Sequence, residues 1–401
     1  MSTVSPPARN HLPPQAQGTS IHTHRWLLST PSGTWHAEGG EPLTGGPGQG
    51  QFAHLAATTL NRLRACPPDT AVVGVVPFEE STAARLILAL MRRQAGRPEK
   101  SAPVPPPAPP TAFGRPRPEP SEHDYLAAAT HAVRTLRAGA ADKVVLARTL
   151  SLAVHGTPDW DTVSSLLDGL AHRDPRAHLF AATLPHRDGT DGAPTGPPIL
   201  FGATPETLLT RFGDRLTLNP LAGTAPRHPD PATDHTRARA LRRSAKDLTE
   251  HRFVVDALRD QLAPLCRTIE IPREPALLAT RRLWHLSTTI RARLHHPAPD
   301  ALALALLLHP TPAVCGSPAR TARALIRELE PVPRGYYSGL IGWMNQAGDG
   351  QWDIALRCGE LDDTRLRLYA GAGITAQSDP CTELAETTAK FTTMLDVLPL
   401  R

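Results

Sequence analysis

Apolar positions along the chain recur with two different periods. Spacing of three and four residues predicts helices over 56–64, 81–93, 125–138, 160–171, 246–262 and 319–329. Short β-branched or alternating runs predict strands at 71–76, 143–149, 177–184, 199–203, 216–218, 352–358 and 365–370. Asp379 reads as an N-cap and Pro380 as a first-turn residue, so a last helix starts there. Hairpin strands interrupted by single helices argue for an α+β fold and against a doubly wound parallel sheet. Residues 1–20 and 40–51 read as tail or loop, and the Gly/Pro/Asp-rich stretch 186–198 as an inserted hairpin tip. The proline run 103–110 cannot form a helix or a central strand, so 97–121 is predicted to be a polyproline-like linker or loop. It separates a variable part, 1–96, from 122–401, where the candidate chemistry lies.

Composition narrows the function classes. With 401 residues the chain can build two or three ordinary domains or one large two-layer domain with an irregular front end. The 43 basic against 38 acidic residues leave a net charge of +5, a mild attraction for anions that does not by itself mean nucleic acid. The arginines are interleaved with acids and form no basic stripe with stacking aromatics, which argues against nucleic-acid binding. Five scattered cysteines, without a C-x-x-C pair, make disulfide and zinc frameworks poor expectations. No apolar leader is visible and the longest apolar run, 301–308, is far short of a membrane span, so a soluble, cytoplasmic protein without a membrane partner is expected. Only four of the basic residues are lysines: Lys100, Lys143, Lys246 and Lys390. A lysine kept in so arginine-rich a chain can mark a place where a compact, deprotonatable amine is needed.

On the last helix Glu383, Glu386 and Lys390 fall on one stripe. One reading is a solvated face with a Glu386–Lys390 pair worth about 0.3 to 0.5 kcal/mol. The other notes that Asp247 and Glu250 repeat the acidic i, i+3 pairing on the helix 246–262. Two such pairs can converge as hard oxygen ligands for one Mg²⁺. Gly371-Ala372-Gly373 after the strand 365–370, and Gly223-Thr224 after Asn219-Pro220, can expose backbone N–H groups to a carboxylate. Arg357, predicted to point away from the apolar face of its hairpin, adds a cation, as does Lys390.

The ordered blocks DKVVLART, FGATPETLL, LNPLAGTAPR, KDLTEH, LWHLSTT, LHPTPAVCG, RGYYSGLIGW, ALRCGEL, YAGAGI and SDPCTELAETTAK resemble the motifs of the chorismate-utilising enzymes, most closely those of isochorismate synthases. The resemblance covers about 125–398. It implies two antiparallel β-sheets packed face to face with helices outside, a chorismate-binding domain over 122–401, and a Mg²⁺ cofactor. By the same resemblance Glu250 and Glu386 are direct metal ligands with Asp247 and Glu383 beside them. Gly223, Thr224, His285, Arg357, Gly371 and Lys390 are implied to line the substrate.

Members of this family differ in the nucleophile delivered to chorismate. The lysine that attacks covalently in the aminodeoxychorismate branch would stand at Ala222, so that route is missing. Lys143 matches the lysine that activates water, and Glu206 the general acid that protonates the departing C4 hydroxyl. For those roles Lys143 would have to be neutral and Glu206 protonated, and burial favours both. No glutaminase-like segment is fused and no glutaminase partner is expected. The implied activity is the reversible isomerisation of chorismate to isochorismate, with salicylate synthase as the alternative. A catalytically dead paralogue is disfavoured by retention of base, acid and acidic residues. Ala225 and Leu384 depart from the family pattern and bear on affinity. The pathway served, whether siderophore, menaquinone or other secondary metabolism, stays open.

Overall fold

The computed structural model describes residues 24–43, 46–97, 111–185 and 196–401. Among these, eleven strands form one sheet, nine a second and three a small third, and every pairing between named strands is antiparallel. The expected α+β architecture of two facing sheets with outer helices is present, and the three-stranded sheet, Leu221–Pro226, Leu283–Ser287 and Ala276–Ala279, is an addition to it.

The longest pairing in the larger sheet joins Lys143–His155 to Arg365–Thr375, in register from Arg365 opposite Ala153 to Thr375 opposite Lys143. Both strands run well beyond the 143–149 and 365–370 expected from local pattern. N-terminal strands complete both sheets: Arg25–Thr30 pairs with His178–Thr183 in the larger, and Thr70–Val76 with Leu340–Met344 in the smaller. The linker's proline run lies outside the described residues, as do 1–23 and 186–195 of the inserted tip. Just after it, Ala112–Phe113 and Arg117–Glu119 are short strands on the flank of Lys143–His155.

The helix expected at 81–93 is corrected by the structure to the strands Arg85–Leu90 and Arg92–Ala95. Leu86 and Leu88 face the helix-covered core of the smaller sheet, whereas Ile87 and Ala89 face the core between the sheets. A strand buried on both faces loses its alternation and becomes an apolar run, which periodicity cannot tell from a buried helix. The strand expected over 352–358 is likewise corrected to Gly350–Ile354 and Cys358–Leu361, separated by a crossing from one sheet to the other.

Helices cover the outer faces. Gln51–Arg64, Ala245–Leu262 and Ala301–Leu308 pack on the smaller sheet, and Glu122–Arg137, Trp160–Arg173, Ala319–Leu329 and Pro380–Leu395 on the larger. The last begins as expected, with Asp379 accepting the N–H of Thr382 and Pro380 in its first turn. None of the described helices is long and apolar enough to cross a membrane.

One buried ion pair ties the loop after Ala319–Leu329 to the central strand. Arg334 meets Glu330 at 2.6 Å and donates to the carbonyls of Val145 and Val314, each at 2.7 Å, while Glu330 accepts the N–H of Ala147. Arg334→Ala strands the Glu330 carboxylate and two carbonyls in the interior. It is expected to cost about 3 to 5 kcal/mol in chemical denaturation, where an exposed arginine such as Arg137 would cost well under 1.

Candidate active site

Two neighbouring passages of the chain between the sheets make the floor of a cavity. In one, the chain leaves Ile199–Thr204 and enters Thr207–Phe212, placing Glu206 at the turn with its N–H on Thr204 Oγ1. In the other it returns from Gly350–Ile354 to Cys358–Leu361, placing Arg357 at the turn with φ of 48°. The passages are stitched together: Ile354 N–H donates to Glu206 O, and Ala203 N–H to Arg357 O. A β-carbon on Gly202 would come within 2.6 Å of Arg357 O, so a glycine is needed for the passages to touch. The left-handed backbone at Arg357 is strain of the kind found where a side chain must be aimed.

Glu206 is 4% exposed, and burial raises its carboxyl to about 7 despite the N–H of Leu221 and the charges of Lys143, Lys390 and Arg357. A carboxyl that keeps its proton near neutrality can donate it. The structure therefore gives Glu206 the environment expected of an acid.

Opposite stands the small third sheet. Its strand Leu221–Pro226 slips register at Gly223, where φ is 74°, and Thr224 comes to lie opposite His285. A β-carbon at Gly223 would press on Asp247 Cβ at 3.0 Å, so the bulge also lets the helix Ala245–Leu262 approach. Arg357 Nη2 approaches His285 Nε2 at 3.5 Å, and a guanidinium can only donate. His285 Nδ1 therefore carries the proton and donates to Thr224 Oγ1 at 3.2 Å. Burial, Arg357 and Lys390 hold the imidazole well below its ordinary value, so it is neutral. It steadies Arg357 and lines the cavity.

The four acidic residues lie on two facing helices. Glu250 is 2.9 Å from Lys143, Glu383 2.8 Å from Lys246 and Glu386 2.6 Å from Lys390. Burial pushes Glu250 up, but Lys143, together with Lys246 and Lys390, outweighs it and the carboxyl ends below its ordinary value. Asp247 is raised by burial and by Glu250 and Glu386, and Glu383 by burial and by Glu386, so these carboxylates feel one another across the helix boundary. An all-oxygen set under mutual repulsion fits a hard divalent cation such as Mg²⁺. Among the described residues no three His, Cys, Asp or Glu side chains converge on a common point. The structure brings the four near one another, then, without assembling them around a centre.

Lys143 is fully buried on the central strand, with Glu250 rather than Lys143 itself on the cavity wall. A β-carbon at Gly373 would come within 2.4 Å of Glu250 Oε1 and 2.9 Å of Lys143 Cε, so this glycine makes room for the pair. Gly371 has a further part besides lining the cavity. It sits opposite Ala147, whose N–H goes to Glu330, and its carbonyl turns the other way to accept from Lys390 Nζ at 2.7 Å, so the backbone of Gly371 faces the cavity side and also fixes a lysine there. Tyr337 and Tyr369, stacked with ring centroids 5.2 Å apart, also line the cavity. Their spacing in sequence gave no signal that they meet.

A family model described as chorismate binding enzyme matches residues 69–399. The chain belongs to this family. It is 41% identical over 357 residues to the isochorismate synthase DhbC of Bacillus subtilis, covering 87% of this chain and 86% of that one. Its fold is similar to the solved structure of a Bacillus anthracis protein assigned as a 2,3-dihydroxybenzoate-specific isochorismate synthase, with a TM-score of 0.83, 34% identity and coverage of 94% and 96%. Similarity of fold alone extends to anthranilate synthase component I of Streptococcus pneumoniae, with a TM-score of 0.65, 21% identity and coverage of 96% and 95%. In this chorismate-binding enzyme all six residues proposed to face substrate lie on one cavity: Gly223, Thr224, His285, Arg357, Gly371 and Lys390.

The raised Glu206 carboxyl has a stability consequence. In the unfolded chain it ionises near 4.5, whereas in the fold it holds its proton to about 7. Between these values the native state binds the extra proton, so stability falls as pH rises, by about 3 kcal/mol in all. Glu206→Gln keeps an acceptor for Leu221 N–H and removes the titration. By denaturation it is expected to be more stable than wild type at pH 8 by up to that amount, and no more stable at pH 4.

Proposed function

We propose that the protein is an isochorismate synthase, converting chorismate to isochorismate by entry of water at C2 and loss of the C4 hydroxyl. The observation that carries this reading is a buried carboxyl poised near neutrality, Glu206, on the same cavity as the cations Arg357 and Lys390. The kinship to isochorismate synthases across most of the chain supports it.

In this mechanism Arg357, steadied by neutral His285, receives a carboxylate of the substrate, and Lys390, fixed by Gly371 and Glu386, adds a second positive charge. Glu206 delivers its proton to the departing C4 hydroxyl. Lys143 is the group for taking a proton from the incoming water. Its ion pair with Glu250 must open, or hand over a proton, before it does so. Glu250 and Glu386, with Asp247 and Glu383 beside them, would hold Mg²⁺. Bound there, the ion neutralises substrate carboxylate and acidic residues together. Holding the ring between fixed cations supplies orientation, and the burial of Glu206 and Arg357 strengthens each charge interaction. No glutaminase subunit is needed when water is the nucleophile. Kinship to a 2,3-dihydroxybenzoate-specific enzyme favours that branch as the destination of the product.

Purified protein given chorismate and Mg²⁺, with products separated by chromatography and weighed, tests the reading. A product of unchanged mass and new retention is expected. Salicylate with pyruvate would replace the reading by salicylate synthase, and an amine formed with ammonium would replace it by the anthranilate-type reaction.

Because the acid must be protonated, kcat/KM should fall as pH rises through about 7, and Glu206→Gln should lower kcat by about 10² to 10⁴ with substrate affinity largely kept. Lys143→Arg keeps a charge that cannot be given up, so it should be about as inactive as Lys143→Ala. Substantial activity in Lys143→Arg would remove Lys143 from the role of base.

A further inference from the structure

A second, smaller cavity abuts the first, and the two share Pro205 and Arg357 in their linings. Its outer wall carries Arg173, Arg281 and Arg282 against two acids, Asp174 and Asp396. Both acids are already engaged. Asp396 stands 2.5 Å from Arg282 and 3.8 Å from Arg173, and Asp174 accepts the backbone N–H of Arg281 at 3.4 Å. The Arg281 side chain is exposed and has no ion-pair partner among the described residues. Counting Arg357, four guanidiniums face two carboxylates, a residual charge of 4 − 2 = +2 on a concave surface.

Arg357 belongs electrically to both cavities. Burial lowers its guanidinium, and Tyr337, Glu386, Asp174 and Glu206 act against that, so it senses Asp174 on the outer side together with Glu386 and Glu206 on the inner. A concave wall of one sign focuses its field and raises the local concentration of counter-ions.

We propose that this outer cavity is a docking vestibule for a small dicarboxylate, which lands on Arg281 and Arg282 and passes to Arg357 as it enters the inner cavity. The inference rests on the isochorismate synthase reading in one respect, that the ligand is the dianion chorismate. A rim charge of this kind governs the rate of association and its salt dependence more than the depth of the final complex.

Stopped-flow tryptophan fluorescence gives association rate constants for chorismate and, in parallel, for phthalate, a stable aromatic dicarboxylate. Measurements are made at about 10 mM and about 1 M salt, where screening lengths are ~30 Å and ~3 Å. Arg281→Glu is expected to slow association of both ligands about tenfold at low salt and to match wild type at high salt, with Arg281→Lys restoring the rate. Arg291→Glu makes the same change of net charge at an exposed position lining neither cavity, and should leave the rate within about twofold of wild type. The proposal is overturned if Arg281→Glu associates at the wild-type rate at low salt with both ligands, or if Arg291→Glu slows association equally. Turnover of chorismate by wild type is followed separately. Its absence, with the charge dependence intact for phthalate, would remove the activity and leave the vestibule standing.

Discussion

The ion pair between Lys143 and Glu250 is the contact on which the site depends. It joins the start of the central strand of one sheet to the helix packed on the other, with Lys143 fully buried and Glu250 at the cavity wall, and it closes over a glycine that leaves no room for a β-carbon. Charges taken out of water repay their desolvation only when the geometry is good and the partner is present. Either residue alone would be an uncompensated charge in the interior, so Lys143, Glu250 and Gly373 stand or fall as a unit. The same logic extends outward through Lys246 with Glu383 and Lys390 with Glu386. Three of the four carboxylates have a lysine of their own, which lets a strongly acidic pocket exist between two sheets before any substrate arrives.

That arrangement explains the chain's sparing use of lysine. Of four lysines, three are the partners of these carboxylates, while arginine serves in every other cationic position of the described residues. An ammonium is compact and can exchange one carboxylate partner for water or substrate, whereas a guanidinium prefers a flat, two-point grip and is always charged. Arg334, locked to Glu330 and two carbonyls, shows the contrasting use: a permanent brace that has no need to move.

Much of this was legible in the sequence, and the exceptions have physical causes. The i, i+3 acidic pairs lay on the helices expected, because helical periodicity and the Asp379-Pro380 start are local signals. The ordered motifs carried the fold and pointed to Glu206, Arg357 and His285, which share one cavity. Local pattern failed at 85–90, where burial on both faces erased alternation, and at 355–357, where a sheet-to-sheet passage looks like a strand because its neighbours are apolar. It also could not reveal that Gly371 gives a carbonyl to Lys390, or that Tyr337 and Tyr369 stack, since both depend on contacts between residues distant in sequence.

The likeness to an anthranilate synthase component extends through nearly all of the chain, so the fold does not select the nucleophile. Selection has to come from a few side chains on a common scaffold, in keeping with the rule that function lives in sites grafted on folds. Ala222 on the cavity wall offers no amine for covalent attack. Lys143 offers one, but from behind Glu250. An amine held behind a carboxylate is less suited to attack on a ring than to the proton transfer proposed for it. On the proposed reading, metal binding and choice of nucleophile would be joined, because the carboxylate paired with Lys143 is one of those proposed to hold the cation.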